Sequence, residues 1–310
     1  MPMKLRKGLG LIATLGAVVV LYAFGVRPWL LNWGASPAEQ TRALPGDDIV
    51  SGAVKTTTRG VTIDAPAAKV WPWVAQLGQD RGGFYSYEIL EDLVGCEMPR
   101  ADKILPGAQE WKDGDSLWMY PPSKLDGLGS APLLASVPGR VLAFGTWRPG
   151  VSHDLPPEGT WTFAVEPVDA ETTRLLVRTR GTEPSSAFGV AFDRAVFEPI
   201  HFVMERRMMD SIRRLAEGRT PPSRSAEAAQ ILVWTSMLAA LAWSTGAVLR
   251  RKSWLIPLAA TGAAALGFQF MTLAQPPAML GLFLVVILAG VLVVAGEAAG
   301  AKRPEPAVTA

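Results

Sequence analysis

A short segment of the chain combines a cation with two phenols beside paired glycines. Arg81 precedes Gly82 and Gly83, and Tyr85 and Tyr87 follow. Glycine permits backbone conformations that are closed to other residues, and a guanidinium offers five donors to a carboxylate or phosphate. The segment therefore predicts a loop at a cavity mouth, where it would contact an anionic or carbonyl group. The alternative is a structural turn whose arginine pairs with nearby acidic residues.

Aromatic side chains are a second candidate lining for an apolar ligand. The chain contains 11 tryptophans, of which Trp73, Trp118 and Trp161 fall in predicted strands and helices, and Met204 lies in a predicted long helix. Apolar and aromatic side chains with few polar groups are typical of ligand pockets. We predict that these four residues and the three polar loop residues contact a ligand. The alternative is that most of the tryptophans belong to the core.

Groups suited to metal or nucleophilic chemistry are sparse. The chain has one cysteine, Cys96, and two histidines, His153 and His201, so we expect neither a disulfide nor a metal or cofactor site. The Ser-His-Asp run at 152–154 is consecutive, without the Gly-x-Ser-x-Gly turn of a hydrolase. His201, near Glu205 on a predicted helix, could be a base facing a cavity or a packed histidine. Binding is favoured over catalysis, and enzymatic activity is left open.

The elements that would position these groups are strands followed by a long helix. Strand patterns occur at residues 54–63, 114–120, 140–147, 160–168 and 172–181. Helical spacing of apolar residues occurs at 64–77, 86–94 and 188–217. Trp161, Phe163 and Val165 should share one strand face, whereas Arg174, Arg178 and Arg180 should face solvent. The order predicts an α+β domain over residues 54–217, with an antiparallel sheet packed on the last helix.

Composition separates this domain from apolar flanks. Only 19% of residues are charged and 49% are hydrophobic, whereas soluble domains carry about 25% charged residues. Apolar stretches predict transmembrane helices at residues 8–30, 228–249, 253–274 and 278–296. The first stretch could instead be a cleaved signal peptide, but its apolar run exceeds the usual length of about 7–15 residues. Residues 36–53, rich in Pro, Gly, Asp and Ala, predict a linker.

Basic residues predict how these helices are oriented. Clusters of Lys and Arg lie at residues 4–7, 250–252 and 302–303, which places both termini in the cytoplasm and the α+β domain on the outer face of the cell membrane. The spans lack ionisable residues apart from Arg27 at the edge of the first, so anchoring is favoured over ion transport. With 30 basic against 28 acidic residues, nucleic acid is not an expected partner.

Several short segments follow one another in a recognisable order. They are IDAP at 63–66, VWPW at 70–73, LGQDRGGFYSY at 77–87, LEDL at 90–93, GD at 114–115, WTF at 161–163, TRLLVR at 173–178 and FVMERRMM at 202–209. This order resembles the SRPBCC or START-like superfamily, and specifically an uncharacterised bacterial branch of polyketide cyclase/dehydrase-like proteins. The resemblance covers about residues 54–217, just over half of the chain, and excludes the predicted membrane helices.

The resemblance implies a helix-grip fold, in which a curved antiparallel sheet wraps a long C-terminal helix around an internal cavity. Members of the superfamily bind lipids, sterols, polyketides or plant hormones, and some catalyse cyclisation or dehydration. No enzyme motif of the superfamily matches this chain residue by residue. Fold therefore transfers more readily than function.

These observations predict a multi-pass membrane protein whose START-like domain binds a hydrophobic small molecule or lipid at the bilayer. Two alternatives remain open. One is a cyclase or dehydratase acting on a hydrophobic substrate, with Glu88, Glu91, His201 or Glu205 as acid or base. The other is a ligand-free assembly module for a membrane-protein partner, with a cavity filled by the domain's own side chains.

Overall fold

The computed structural model describes residues 1–50, 52–125, 129–147 and 155–300, with the backbone alone at 292 and 294–300. The Ser-His-Asp run at 152–154 lies outside the described residues. The chain divides into two compact units. One unit comprises Trp29–Arg224, and the other comprises Met1–Pro28 with Ser225–Ala310.

The unit Trp29–Arg224 is built on a sheet that has six antiparallel strands within the described residues. In chain order the strands are β1 (Lys55–Ile63), β2 (Ser116–Trp118), β3 (Ser130–Val137), β4 (Val141–Thr146), β5 (Gly159–Pro167) and β6 (Thr173–Gly181). Their order across the sheet is β1-β6-β5-β4-β3-β2. Strand β3 was not expected from the sequence. Its apolar residues show no regular alternation and include Pro132, so the segment resembles a loop in composition.

One face of the sheet packs against a long helix. The helices of this unit are α3 (Pro37–Thr41), α4 (Ala67–Ala75), α5 (Glu88–Leu93), α6 (Ala187–Phe192) and α7 (Glu198–Ala216), and α2 (Arg27–Leu31) leads into it. A π-helical turn, Asp193–Phe197, joins α6 to α7. The core contains Phe163 and Val177, which are opposed across β5 and β6, and Met209 and Ile212 of α7. The predicted alternation along β5 and β6 is confirmed.

The opposite face of the sheet is covered by residues 36–47, which were predicted as part of a linker. Ser36 caps α3 with a reciprocal capping box, and Leu44 packs against Val141, Ala164 and Leu176. We call residues 36–47 the strap. A flexible linker and an ordered strap have the same composition, because both are rich in turn-forming residues such as Pro, Gly and Asp. The sequence alone therefore did not distinguish them.

The strap corrects the expectation that the arginines of β6 face solvent. Arg178 is buried and donates to the Asp47 carboxylate at 2.5 Å and to the Arg42 carbonyl at 2.8 Å. Arg174 donates to both carboxylate oxygens of Glu39 at 2.9 Å. The strand alternation was right, but the outward face is covered by the strap rather than by water.

The second unit consists of apolar helices. They are α1 (Met3–Leu21), which continues through a π-helical turn into α2, then α8 (Arg224–Arg250), α9 (Leu255–Ala274) and α10 (Ala278–Gly300). Among the described residues, three helices are long and apolar enough to cross a membrane: Met3–Leu31, Arg224–Arg250 and Leu255–Ala274. The prediction of four is corrected. In α10 the side chains are described without interruption only over Ala278–Val291, a shorter apolar helix, so α10 is not counted among the candidate spans.

Candidate functional site

A cavity lies beside one side of α7 in the α+β unit. Its volume is about 150 Å³. The side chains that line it are Phe84, Ser86, Glu91, Cys96, Met98, Met119, Trp161, His201, Met204, Glu205 and Met208. The four residues from α7 are spaced by three, one and three positions, so one helix face supplies them. Residues 84–98 form the opposite wall, and Trp161 of β5 closes the side next to the sheet.

A buried ion pair fixes the polar side of the cavity. Arg59 of β1 donates from Nη1 to Glu205 Oε1 at 2.7 Å, and both side chains are 1% exposed. The second carboxylate oxygen, Oε2, accepts from Trp161 Nε1 at 3.0 Å. Arg59 also donates from Nε to the Leu30 carbonyl at 2.9 Å and lies over the Phe202 ring at 5.0 Å. Glu205 is thus held with its negative charge balanced inside the unit.

His201 occupies the same helix face one turn before Glu205. Its Nε2 lies 3.7 Å from Glu205 Oε2, and its ring stacks on Phe197 at 5.6 Å and meets Trp161 edge-on at 5.7 Å. Burial lowers the pKa of His201, and Glu205 opposes this effect only in part. The imidazole is therefore neutral at neutral pH, so that one ring nitrogen can donate and the other can accept a hydrogen bond.

Most of the remaining lining is apolar and polarisable, and Ser86 and Glu91 are its polar members. Met98, Met119, Met204 and Met208 contribute thioethers, which adapt to irregular shapes and make favourable contacts with aromatic rings. Phe84 stacks on Trp161 at 5.8 Å. Burial raises the pKa of the Cys96 thiol. The thiol is therefore a poor nucleophile and acts as a small apolar wall residue.

Two of the predicted ligand contacts, Trp161 and Met204, lie together in the cavity wall. Tyr85 and Trp73 pack behind it: Tyr85 accepts a hydrogen bond from Gln76 at 2.7 Å, and its ring meets Trp73 edge-on at 6.0 Å. Tyr87 is buried beneath the Arg207 guanidinium, which lies 5.0 Å from its ring. Trp118 is half-buried at the end of β2. These four predicted contacts are outside the cavity lining.

Residues 81–87, which we call the glycine loop, hold Arg81 outside the cavity lining as well. Gly83 has a φ of 85°, and a Cβ there would lie 1.9 Å from the Pro99 carbonyl oxygen, so only glycine fits. The Arg81 guanidinium lies 3.8 Å from the Trp111 ring. It donates to the carbonyls of Ala108 at 3.2 Å and Glu110 at 3.1 Å and to Asp115 at 3.4 Å. Burial lowers the pKa of Arg81, although Asp80 and Asp115 oppose the shift.

Sequence reasoning missed Arg59, whose charge fixes Glu205. The signal was present, because Arg59 shares the period-two face of β1 with Val61 and Ile63, and an arginine on an apolar strand face requires a buried partner. Cys96, considered from the sequence only as the single cysteine of the chain, lines the cavity. Met98 lies in an irregular segment where no periodic pattern indicates its direction, whereas Met119 lies in the predicted strand pattern at 114–120, one residue beyond the end of β2.

A larger apolar groove lies in the other unit. Its volume is about 520 Å³, and α8, α9 and α10 contribute its lining, including Met237, Leu255 and Leu284. Its described lining contains no ionisable side chain, so it offers packing but no chemistry.

Comparison with known proteins found no matching family model and no matching curated protein. Among solved structures, protein MLL2253 from Mesorhizobium loti is 14% identical over 53% of this chain and 98% of that chain, with a TM-score of 0.29. A conserved protein of unknown function, EF2215 from Enterococcus faecalis, is 12% identical over 56% and 77%, with a TM-score of 0.31. The Polyketide_cyc-like protein Cgl2372 from Corynebacterium glutamicum is 16% identical over 52% and 85%, with a TM-score of 0.24. The α+β class therefore rests on the sheet and helices of this chain.

Proposed function

We propose that the α+β unit is a START-like domain that binds a hydrophobic or lipid-like ligand between α7 and the sheet, and that the apolar helices anchor it in a membrane. The observation that carries this proposal is the cavity beside α7. The ordered segments that resemble the superfamily lie in the α+β unit, and a long final helix packed on an antiparallel sheet is the arrangement that the resemblance implies.

The size of the cavity limits the ligand. An apolar cavity of about 150 Å³ can hold a molecule the size of benzene, and the volume here is also about 150 Å³. The ligand is therefore a compact hydrophobic molecule or one end of a lipid, such as the end of an acyl chain. Thioethers and aromatic rings supply dispersion contacts without demanding one fixed shape.

The polar side of the cavity favours a ligand that carries a hydroxyl or another hydrogen-bond donor. The Glu205 carboxylate accepts from Arg59 and Trp161, and an ionised carboxylate has about four acceptor positions. The Glu205 carboxylate can therefore still accept a hydrogen bond from a donor group on a ligand. The neutral His201 imidazole beside it can donate to a ligand oxygen.

Membrane attachment is supported by three apolar helices and by one contact within their unit. Lys7 Nζ donates to the carbonyls of Leu249 at 3.2 Å and Arg251 at 2.6 Å. The start of the first candidate span thus meets the end of the second, as expected when both basic clusters lie on one side of a bilayer. We propose a multi-pass protein with cytoplasmic termini and the α+β unit on the outer face. Its partners would then be the bilayer and the hydrophobic ligand.

Native mass spectrometry of the full chain, released gently from a membrane-mimetic, tests the ligand proposal. A bound ligand should appear as an added mass. Met204→Trp should remove this mass, because the larger side chain fills the cavity, whereas Val168→Trp, at an exposed position in the turn between β5 and β6, should retain it. A bare chain in every preparation, or equal loss in both variants, contradicts the proposal.

Cyclase- or dehydratase-like chemistry is a second candidate, favoured by the neutral His201 at the cavity wall. A neutral imidazole can act as a general base near neutral pH. If the ligand is a substrate, His201→Gln should retain the added mass but stop its conversion to a product of different mass. If the ligand is only bound, the mass should be identical in the wild type and the variant. A ligand-free assembly module for a membrane-protein partner predicts no added mass at all.

A further inference from the structure

The helical run Ala187–Ile200, which precedes the cavity-lining part of α7, has a stripe of exposed apolar side chains. Five large apolar side chains are exposed along it: Phe188, Phe192, Val196, Phe197 and Ile200. Four of them are spaced by four residues, which places them along one side of the helix. The most exposed of them is Phe188, at 80%. We call these five residues the phenylalanine stripe.

Polar contacts hold the base of the stripe, beside the stacking of Phe197 on His201. Lys55, at the start of β1, pairs with Asp193 at 2.5 Å and with Glu198 at 3.2 Å. These pairs anchor the π-helical turn to the sheet, and α6 precedes this turn in the chain. A contiguous exposed apolar surface of this kind marks an interaction site in a natural protein.

The neighbourhood of the stripe indicates that a bilayer covers it. Trp29 and Leu30 belong to the last turn of the candidate span Met3–Leu31, and within the α+β unit the Trp29 ring meets Phe202 of α7 at 5.4 Å. Phe197 precedes Phe202 by five residues, about 7.5 Å along a helix. Tryptophan at the end of a span is characteristic of the membrane–water interface. Ile200, the last residue of the stripe, therefore lies two positions before the residue that contacts this interface marker.

We propose that the helical run Ala187–Ile200 lies in the outer membrane–water interface, with the phenylalanine stripe among the lipid acyl chains. Burial of such a face in the boundary between headgroups and acyl chains is the binding mode of interfacial amphipathic helices. The occupant is the lipid of the bilayer in which the same chain is anchored. The inference rests on the proposed membrane attachment and is independent of whether the cavity holds a ligand.

Site-specific fluorescence in phosphatidylcholine vesicles tests the proposal on the full chain. Cys96 is the single native cysteine, so Cys96→Ala gives a background free of thiols. Phe192→Cys, and Phe188→Cys as a second position, would carry an environment-sensitive NBD label. Val168→Cys is the matched control, because Val168 is also an exposed apolar residue but follows β5, at the end of the sheet opposite to α6.

Labels at both phenylalanine positions should emit at shorter wavelength than the control and should be quenched by nitroxide-bearing lipids. The control label should be quenched only by a water-soluble quencher. Blue-shifted emission without quenching by lipid would mean that protein, such as a second copy, covers the stripe, and it would overturn the proposal. Labels at Phe192 and Phe188 that behave like the control would overturn it as well.

An alkaline wash of the vesicles separates this inference from the proposed membrane attachment. If the chain stays with the vesicles but the labels remain in water, only the interfacial helix is refuted. If the wash releases the chain, the membrane attachment itself fails, and the interfacial helix fails with it.

Discussion

Replacing Glu205 with leucine should strongly destabilise the α+β unit. The substitution leaves the Arg59 guanidinium buried with the Leu30 carbonyl as its remaining described acceptor, and it removes the acceptor of the Trp161 N–H. Removing one partner from a buried ion pair costs about 3–5 kcal/mol. A lost partner for a buried N–H adds about 1–3 kcal/mol. A loss of at least about 3 kcal/mol is therefore expected, a large share of a typical domain's stability.

The double variant Arg59→Met/Glu205→Leu should recover much of this loss. Apolar side chains of similar volume often replace a buried ion pair at little or no cost. Glu171→Leu is the matched control, because Glu171 is exposed in the turn between β5 and β6, and its effect should stay within about 0.5 kcal/mol.

Urea unfolding of the full chain in detergent micelles, followed by tryptophan fluorescence, gives the midpoint and slope for each variant. If the double variant is as unstable as the sum of the two single ones, the pair is not coupled and the reasoning is refuted. The same follows if Glu205→Leu matches Glu171→Leu.

Three further predictions follow from other contacts. Arg178→Met should cost about 3 kcal/mol, because it removes the cation closest to Asp47 and the donor to the Arg42 and Glu39 carbonyls and leaves Arg180 at 3.9 Å from Asp47. The exposed Arg140→Met should be nearly neutral in the same unfolding assay. The free energy of unfolding should fall as the pH drops below about 6.5, because the pKa of His201 is lowered in the folded chain and the unfolded chain therefore takes up the proton first. His201→Gln should flatten this part of the stability–pH profile. An unchanged profile in the variant would contradict the assignment. Hexanol should slow the alkylation of Cys96 by a small neutral reagent, because it is neutral and can occupy the cavity that Cys96 lines. Hexanoate should slow it much less, because its negative charge would lie beside the carboxylates of the lining. Equal protection by both would contradict the polarity inferred for the lining.

The sheet and its last helix were predictable because their patterns are periodic. Trp161, Phe163 and Val165 alternate along β5, and the apolar residues of α7 recur at helical spacing, so each element indicates its own buried face. The cavity wall formed by residues 84–98 has no period. Its position depends on turns such as the one at Gly83, and tertiary contacts rather than local sequence decide which side chains point inward.

Arg178 and Arg81 show a different limit of sequence reasoning. A charged residue is expected at the surface unless it has a buried partner, and the partners here lie far away in the chain: Asp47 for Arg178, and the carbonyls of Ala108 and Glu110 for Arg81. Local patterns carry no information about such distant contacts. Arg59 is the exception, because it shares a face of β1 with the apolar Val61 and Ile63, and a charge on that face requires a buried partner.

The charges around the cavity restrict the chemistry of the proposed ligand more strongly than the cavity volume does. Two carboxylates, Glu91 and Glu205, line the cavity, and its described lining contains no lysine or arginine. Arg59 is not part of the lining, and its positive charge already neutralises Glu205. Arg59 therefore cannot also neutralise an anionic ligand. Bringing a further negative charge beside these two carboxylates would cost desolvation free energy without a compensating cation. A ligand that enters apolar end first, or one with a neutral hydroxyl, avoids this cost. An anionic headgroup would have to remain outside the cavity, and the nearby guanidinium of Arg81 is already committed to Asp115 and to backbone carbonyls.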